Sequence, residues 1–177
     1  MRTDDELMAA LRAGERTAFE VLFERHREAI WRFFRRRVTD PDQAADLTQE
    51  TFLALLQGAT RYQGQAAFRS YLYGIAFNVL AAARRRSDGR ATTTLNGELV
   101  RHVADPGEQI WVRTALAALD AEDRDVVMLR EFDGLTYDEM AALLGVPVGT
   151  VRSRLFRARQ ALRDKLEGEP ARQGAVQ

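Results

Sequence analysis

The stretch GVPVGTVRSRLFRARQALRDKL, Gly145 to Leu166, carries Arg152, Arg154, Arg157 and Arg159 and sets a large aromatic, Phe156, among them. At about 100° per residue, Val151, Leu155, Ala158, Leu162 and Leu166 converge on one side and form the apolar stripe of an amphipathic helix. On that wheel Phe156 lies about 140° from Val151, beside Arg152 and Arg163, with Ser153, Arg157 and Gln160 continuing the polar side. Phe156 is therefore expected to point away from the core. Guanidinium groups neutralise phosphates or grip guanine edges, and an exposed apolar ring meets thymine methyl groups, so such a face suits a DNA groove. The bland alternative is a solvated arginine face with Phe156 packed on a neighbour.

A second constellation is DPDQAADLTQETFLALL, in which Asp46, Gln49 and Glu50 recur at spacings of three and four and so share one helix side. This negative, hydrogen-bonding patch suits an arginine-rich partner, against the alternative of a solvated acidic face. Asp40 is the expected N-cap, Pro41 the first helical residue, and Ala45, Phe52, Leu53 and Leu56 the buried candidates. A third is RYQGQAAFRSYLYGIAFNVLAAARRR, where Tyr62, Phe68, Tyr71, Tyr73 and Phe77 alternate with Arg61, Arg69 and Arg84 to Arg86. Aromatics with cations fit unpaired bases, which stack on rings while their phosphates seek positive charge; aromatics at helical spacing are also ordinary core.

The elements that must hold these residues are helices. Ahead of the arginine helix, TYDEMAALLGVPVGTVRSRL offers Thr136 as N-cap with Glu139 three residues on, small Ala141, Gly145 as a helix stop and Pro147 in the turn. Met140, Leu144 and Val146 are placed to fill the crevice between two helices, and Gly149 and Thr150 to open the second. Helix, tight turn and helix make a helix-turn-helix, whose second helix reads base edges. Helical periodicity runs near 4–13, 16–38, 42–59, 65–87, 108–120, 122–132, 136–144 and 149–166, without a convincing period-two strand. The expected fold is all-α: two small helical domains, 1–87 and 108–168, joined by a flexible linker over 88–107 and followed by a tail over 169–177. The linker sequence is broken by glycines, a threonine run and Asp-Pro-Gly.

Composition narrows the chemistry. The chain has 177 residues, 46% hydrophobic and 29% charged, with formal net charge zero. It has no cysteine, hence no disulfide or thiolate metal site. His26 and His102 stand in no metal-ligand spacing, and there is no P-loop, so no catalytic residue, metal site or cofactor is expected. No apolar run approaches a membrane span and the N-terminus is too charged for a targeting signal, which leads to the expectation of a cytoplasmic protein without membrane partners. The zero net charge conceals segregation. Asp120, Glu122, Asp123, Asp125, Glu131, Asp133, Asp138 and Glu139 precede an arginine-rich helix. Because DNA affinity derives largely from phosphate neutralisation, a chain with no net positive charge should bind DNA weakly by itself. Lys165 is the only lysine among 26 Lys and Arg residues, which hints at a GC-rich genome.

Taken in order, an acidic docking helix, an aromatic and basic helix, a linker and a helix-turn-helix resemble a bacterial sigma factor of the extracytoplasmic-function (ECF) group over about residues 16 to 166. DLTQETFLAL resembles the family's core-polymerase-binding segment, FRSYLYGIAFNVLAAARRR its melting and minus-ten segment, and LREFDGLTYDEMAALLGVPVGTVRSRLFRARQAL its minus-thirty-five domain. The resemblance implies a non-catalytic subunit that docks on core RNA polymerase, through the β′ clamp helices and the β flap, and binds promoter DNA. An anti-sigma factor is a further partner it admits. Carried over by position, it implies core contacts by Asp46, Gln49 and Glu50. It also implies minus-ten contacts by Tyr62, Phe68, Arg69, Tyr71 and Asn78, and minus-thirty-five contacts by Arg130, Arg152, Ser153, Phe156 and Arg157. The chain departs from the family at Tyr71, where tryptophan is frequent, and at Phe77, where arginine is common. The rival reading is a stand-alone helix-turn-helix regulator, dimeric on a pseudo-palindromic site; no dimerising heptad run is evident.

Overall fold

The N-terminal helices begin where side chains satisfy free backbone donors. In the computed structural model, which describes residues 1–64, 67–88 and 108–167, α1 (Asp4–Arg12) opens with a reciprocal capping box between Thr3 and Glu6. Next come α2 (Arg16–Arg35), α3 (Pro41–Gly58), a single 3-10 turn (Ala59–Arg61) and α4 (Phe68–Asp88). Asp40 caps α3 by accepting from Asp42 N–H, with Pro41 in the first turn as its sequence requires. Asp88, expected to start the linker, still belongs to α4. The rest of the linker, His102 with it, and the tail lie outside the described residues. The chain divides into two compact units, Met1–Glu98 and Leu99–Gln177. No helix among the described residues is long and apolar enough to cross a membrane.

In the first unit α3 packs on α2 and α4, and α1 on α2. The core holds Leu22, Ile30, Phe33 and Phe34 of α2, Leu47, Phe52 and Leu55 of α3, and Leu72, Ala76 and Leu80 of α4. Thr48 and Thr51 are also buried, their hydroxyls donating to the Ala44 and Leu47 carbonyls. Part of the basic run at 35–37 is structural. Arg35 donates to the Val38 and Thr39 carbonyls, and Arg37 donates to Phe33 O with its guanidinium 3.8 Å from the Phe33 ring. Both cations lie where α2 ends and exposes free carbonyls.

Leu53 and Leu56 correct an expectation: both are exposed, and Ala45 is half-buried. The α3 stripe that meets the core runs through Leu47, Thr51, Phe52 and Leu55, so Leu53 and Leu56 fall on the side that carries Asp46, Gln49 and Glu50.

The second unit comprises α5 (Glu108–Ala117), α6 (Ala121–Val127), a widened π turn (Met128–Phe132), α7 (Tyr137–Leu144) and α8 (Val148–Glu167). Sequence periodicity suggested one helix over 122–132; it widens at Met128, where the Asp133 N–H reaches back to Met128 O. Buried Arg124 donates to the Leu116, Ala117 and Leu119 carbonyls and so closes the end of α5. Thr136 and Glu139 form the capping box of α7, and Gly145 ends it at φ 66°, a left-handed conformation that favours glycine. Pro147 O then accepts from Thr150 and Val151 N–H to start α8. Val151, Leu155 and Ala158 are buried with Met140 and Ala141, whereas Leu144 and Val146 stay half-exposed and only border the crevice.

Candidate DNA-reading and docking surfaces

Because Val151, Leu155 and Ala158 anchor one side of α8, Arg152, Ser153, Phe156 and Arg157 stand on its exposed side. Phe156 is 64% exposed, as its position on the wheel requires. Ser153 Oγ donates to Thr150 O at 3.0 Å. Arg130, remote in sequence, reaches this neighbourhood through Tyr137: the Arg130 and Arg152 guanidiniums lie 5.2 and 6.0 Å from its ring centroid. Arg130 also donates to Leu135 O at 2.9 Å. Tyr137 was missed from the sequence. Its role depends on how α7 crosses α8, and periodicity carries no sign of that.

The acidic segment folds against the arginines. Arg154 pairs with Glu122, Arg157 with Asp123 at 2.8 Å, and Arg159 with Glu131 at 2.8 Å. The Asp123 hydrogen bond raises the Arg157 pKa above its already high ordinary value, so this side chain stays cationic.

In the first unit, Asp46 and Gln49 are exposed on α3, while half-buried Glu50 pairs with Arg86 at 3.1 Å. Leu53 and Leu56 extend this face along the helix. Alongside it, Thr48 and Gln49 of α3 and Phe23, Arg27 and Trp31 of α2 line a groove. Acids and amides with exposed leucines in one strip make a surface suited to another protein, since apolar patches rimmed by polar groups mark interaction sites. The sequence signal for Leu53 and Leu56 was present in their spacing from Asp46, but apolar type suggested core.

The aromatic constellation is mostly interior. Tyr62 is 5% exposed and Phe68 is buried; the Tyr62 ring lies 4.9 Å from Tyr71 and 6.3 Å from Phe68. The Tyr62 hydroxyl donates to Asp5 Oδ1 at 2.5 Å, and Arg12 donates to Tyr62 O at 3.1 Å, so α1 is tied to this residue. Burial and then Asp5 push the Tyr62 pKa well above its ordinary value, keeping the hydroxyl a neutral donor. His26 stays a packing residue, its ring 5.2 Å from Phe68 and its Nε2 2.8 Å from Asp4 Oδ2. Half-buried Tyr71 and exposed Asn78 are seven residues apart on one face of α4. Gly74 lies between them, where an added Cβ would meet nothing within 4 Å. Arg69 is exposed about 180° around the helix from Asn78 and stacks on Tyr73 at 5.5 Å. Asn78 and Arg69 are therefore not brought together.

Residues 22–90 match the family model of Sigma-70 region 2, and residues 109–162 that of Sigma-70, region 4. The ECF RNA polymerase sigma-E factor of Escherichia coli strain K12 is 34% identical over 183 aligned positions, spanning 93% of this chain and 95% of that protein. The chain belongs to the ECF sigma factors. This sigma factor binds core RNA polymerase and promoter DNA and directs promoter-specific transcription initiation; the region 2 match excludes a stand-alone regulator with an unrelated N-terminal domain. The RNA polymerase sigma-H factor of Pseudomonas aeruginosa is 31% identical over 181 positions, covering 93% of this sigma factor and 94% of its own length. Among solved structures, CnrH in complex with the cytosolic domain of CnrY matches with a TM-score of 0.70 at 26% identity, over 92% of this sigma factor and 96% of CnrH. RpoE of Bartonella quintana, solved with the anti-sigma factor NepR, shares the fold, with a TM-score of 0.68 at 23% identity over 85% of this chain and 98% of RpoE.

Proposed function

We propose that this sigma factor divides its work among three faces. Asp46, Gln49, Glu50, Leu53 and Leu56 on α3 engage the β′ clamp helices of core polymerase. The Tyr71–Gly74–Asn78 face of α4 receives an unpaired minus-ten base, with Tyr62 and Phe68 as its supporting wall and Arg69 meeting phosphate from another side. Arg152, Ser153, Phe156 and Arg157 on α8 read the minus-thirty-five element, Arg130 anchors the backbone, and the β flap carries the second unit. The boundaries 1–87, 88–107 and 108–168 then separate melting, tether and upstream reading. The subunit is non-catalytic and works in the cytoplasm. An anti-sigma factor covering the α3 face would compete with polymerase. The similar CnrH was solved with a protein partner, the cytosolic domain of CnrY, which supports a surface open to such competition.

The observation that carries this reading is Phe156, a large apolar ring exposed among arginines on the helix whose opposite side anchors the unit. Loss of a base-reading contact costs about 1–3 kcal/mol and relaxes preference at that base pair, whereas loss of a phosphate contact weakens all sequences alike. Holoenzyme carrying Arg152→Ala or Phe156→Ala should therefore change the minus-thirty-five profile of a promoter library, and Arg130→Ala should lower occupancy across it. An unchanged profile in the first two variants would sink the assignment of α8.

A further inference from the structure

The geometry points to Asp123 as a positioning residue that presents Arg157 as a guanine reader. The inference rests on the reading that α8 enters the minus-thirty-five groove. Asp123 is 7% exposed on α6, and its carboxylate grips one edge of the Arg157 guanidinium: Nη2 donates to Oδ1 at 2.8 Å and Nε to Oδ2 at 3.3 Å. A guanidinium has five N–H donors in a planar fork. The side-on grip occupies Nε–H and one Nη2–H, leaving both Nη1–H groups and the second Nη2–H. One Nη1–H and the remaining Nη2–H form the Nη1/Nη2 edge, the parallel pair of donors that matches guanine O6 and N7.

The other paired arginines of α8 lack this arrangement. Arg154 and Arg159 each reach a carboxylate through Nη2 alone, that of Glu122 and of Glu131, whose side chains are 70% and 50% exposed, and Arg159 also bonds the Tyr137 side chain. A long side chain held on a buried carboxylate loses its rotamer freedom before DNA arrives, so less ordering accompanies binding. The Arg157 side chain nevertheless remains 59% exposed. The same carboxylate cancels much of the cation's attraction for phosphate, which lowers affinity for every sequence. Asp123 should therefore act in opposite directions on selectivity and on general affinity.

The test uses holoenzyme and a promoter library randomised through the minus-thirty-five element, comparing wild type with Asp123→Asn, Arg157→Ala, Arg157→Lys and the Asp123→Asn, Arg157→Ala double variant. Wild type should prefer guanine at one base pair, and Arg157→Ala and Arg157→Lys should lose that preference. Asp123→Asn should reduce it about three- to tenfold, the effect of freeing one rotamer-rich side chain, while occupancy of other sequences stays equal or rises. In the double variant Asp123→Asn should add nothing. Asp123→Leu supplies the same comparison if the asparagine variant fails to fold, since an apolar residue suits the buried site. If Arg157→Ala alters the profile and neither Asp123 variant changes the preference, Asp123 is only a screening charge and the inference is overturned. If Arg157→Ala and Phe156→Ala both leave the profile flat, the reading of α8 fails first, and this inference with it.

Discussion

Tyr62 changes how the minus-ten site should be probed. With its ring against Phe68 and Tyr71 and its hydroxyl on Asp5, truncation to alanine removes core packing. Loss of a buried aromatic costs about 3–5 kcal/mol, so Tyr62→Ala should lower the melting temperature and confuse folding with function. Tyr62→Phe removes only a hydrogen bond to a charged group, at about 1.5–3 kcal/mol, and is the cleaner variant. Because the folded-state pKa of Tyr62 is raised, its stabilisation is complete below the ordinary tyrosine value of about 10 and is lost as pH rises through the folded value. Alkaline unfolding of wild type should therefore include a component that Tyr62→Phe lacks, measurable by circular dichroism as the pH is raised above about 10. Phe156 is the opposite case. Its ring is largely in solvent, so Phe156→Ala should change stability by no more than about 0.5 kcal/mol while altering promoter preference.

At the scale of elements, α3 and α4 each present one face to the core and another to solvent. Asp46→Arg with Glu50→Arg should abolish binding to core polymerase in a pull-down. The second change also deletes the exposed Arg86 pair, worth about 0–1 kcal/mol, so melting should shift little. Retention of wild-type binding would remove α3 from the clamp contact. In α4, Gly74 sits in mid-helix with open space beside it. Gly74→Ala should stabilise the protein by about 0.5–1 kcal/mol, whereas Gly74→Leu should fill the face between Tyr71 and Asn78. The leucine variant is expected to bind duplex promoter but to form fewer open complexes, read as permanganate reactivity of minus-ten thymines; wild-type opening would show that no base enters there. At the turn between α7 and α8, Gly145→Ala forces an L-residue to φ 66° at a cost of about 1–2 kcal/mol, lowering the thermal stability of the full chain.

For the whole molecule the governing quantity is charge. The chain is neutral overall, and in the second unit Glu122, Asp123 and Glu131 sit on arginines of α8. Phosphate neutralisation supplies most non-specific affinity, so the free chain should give no retarded band on a promoter duplex at physiological salt where the holoenzyme does. A tight complex formed by the free chain would contradict this.

Much of this protein was determined by sequence alone, because the features concerned are local. Thr136 with Glu139, Asp40 with Pro41, and Gly145 set helix ends by bonds and conformations within a few residues. The stripe of Val151, Leu155 and Ala158 fixed the outward direction of Phe156 by helical geometry alone. Tertiary structure decided what joins distant positions: Tyr62 to Asp5 across 57 residues, Arg157 to Asp123 across 34, and Arg130 to Arg152 through Tyr137. It also decided which apolar side of α3 was buried, leaving Leu53 and Leu56 in solvent. The physical reason is the same in each case. A helix specifies its own period and ends through bonds between near neighbours, whereas the side chain across an interface depends on how two helices pack, to which residues remote in sequence contribute equally.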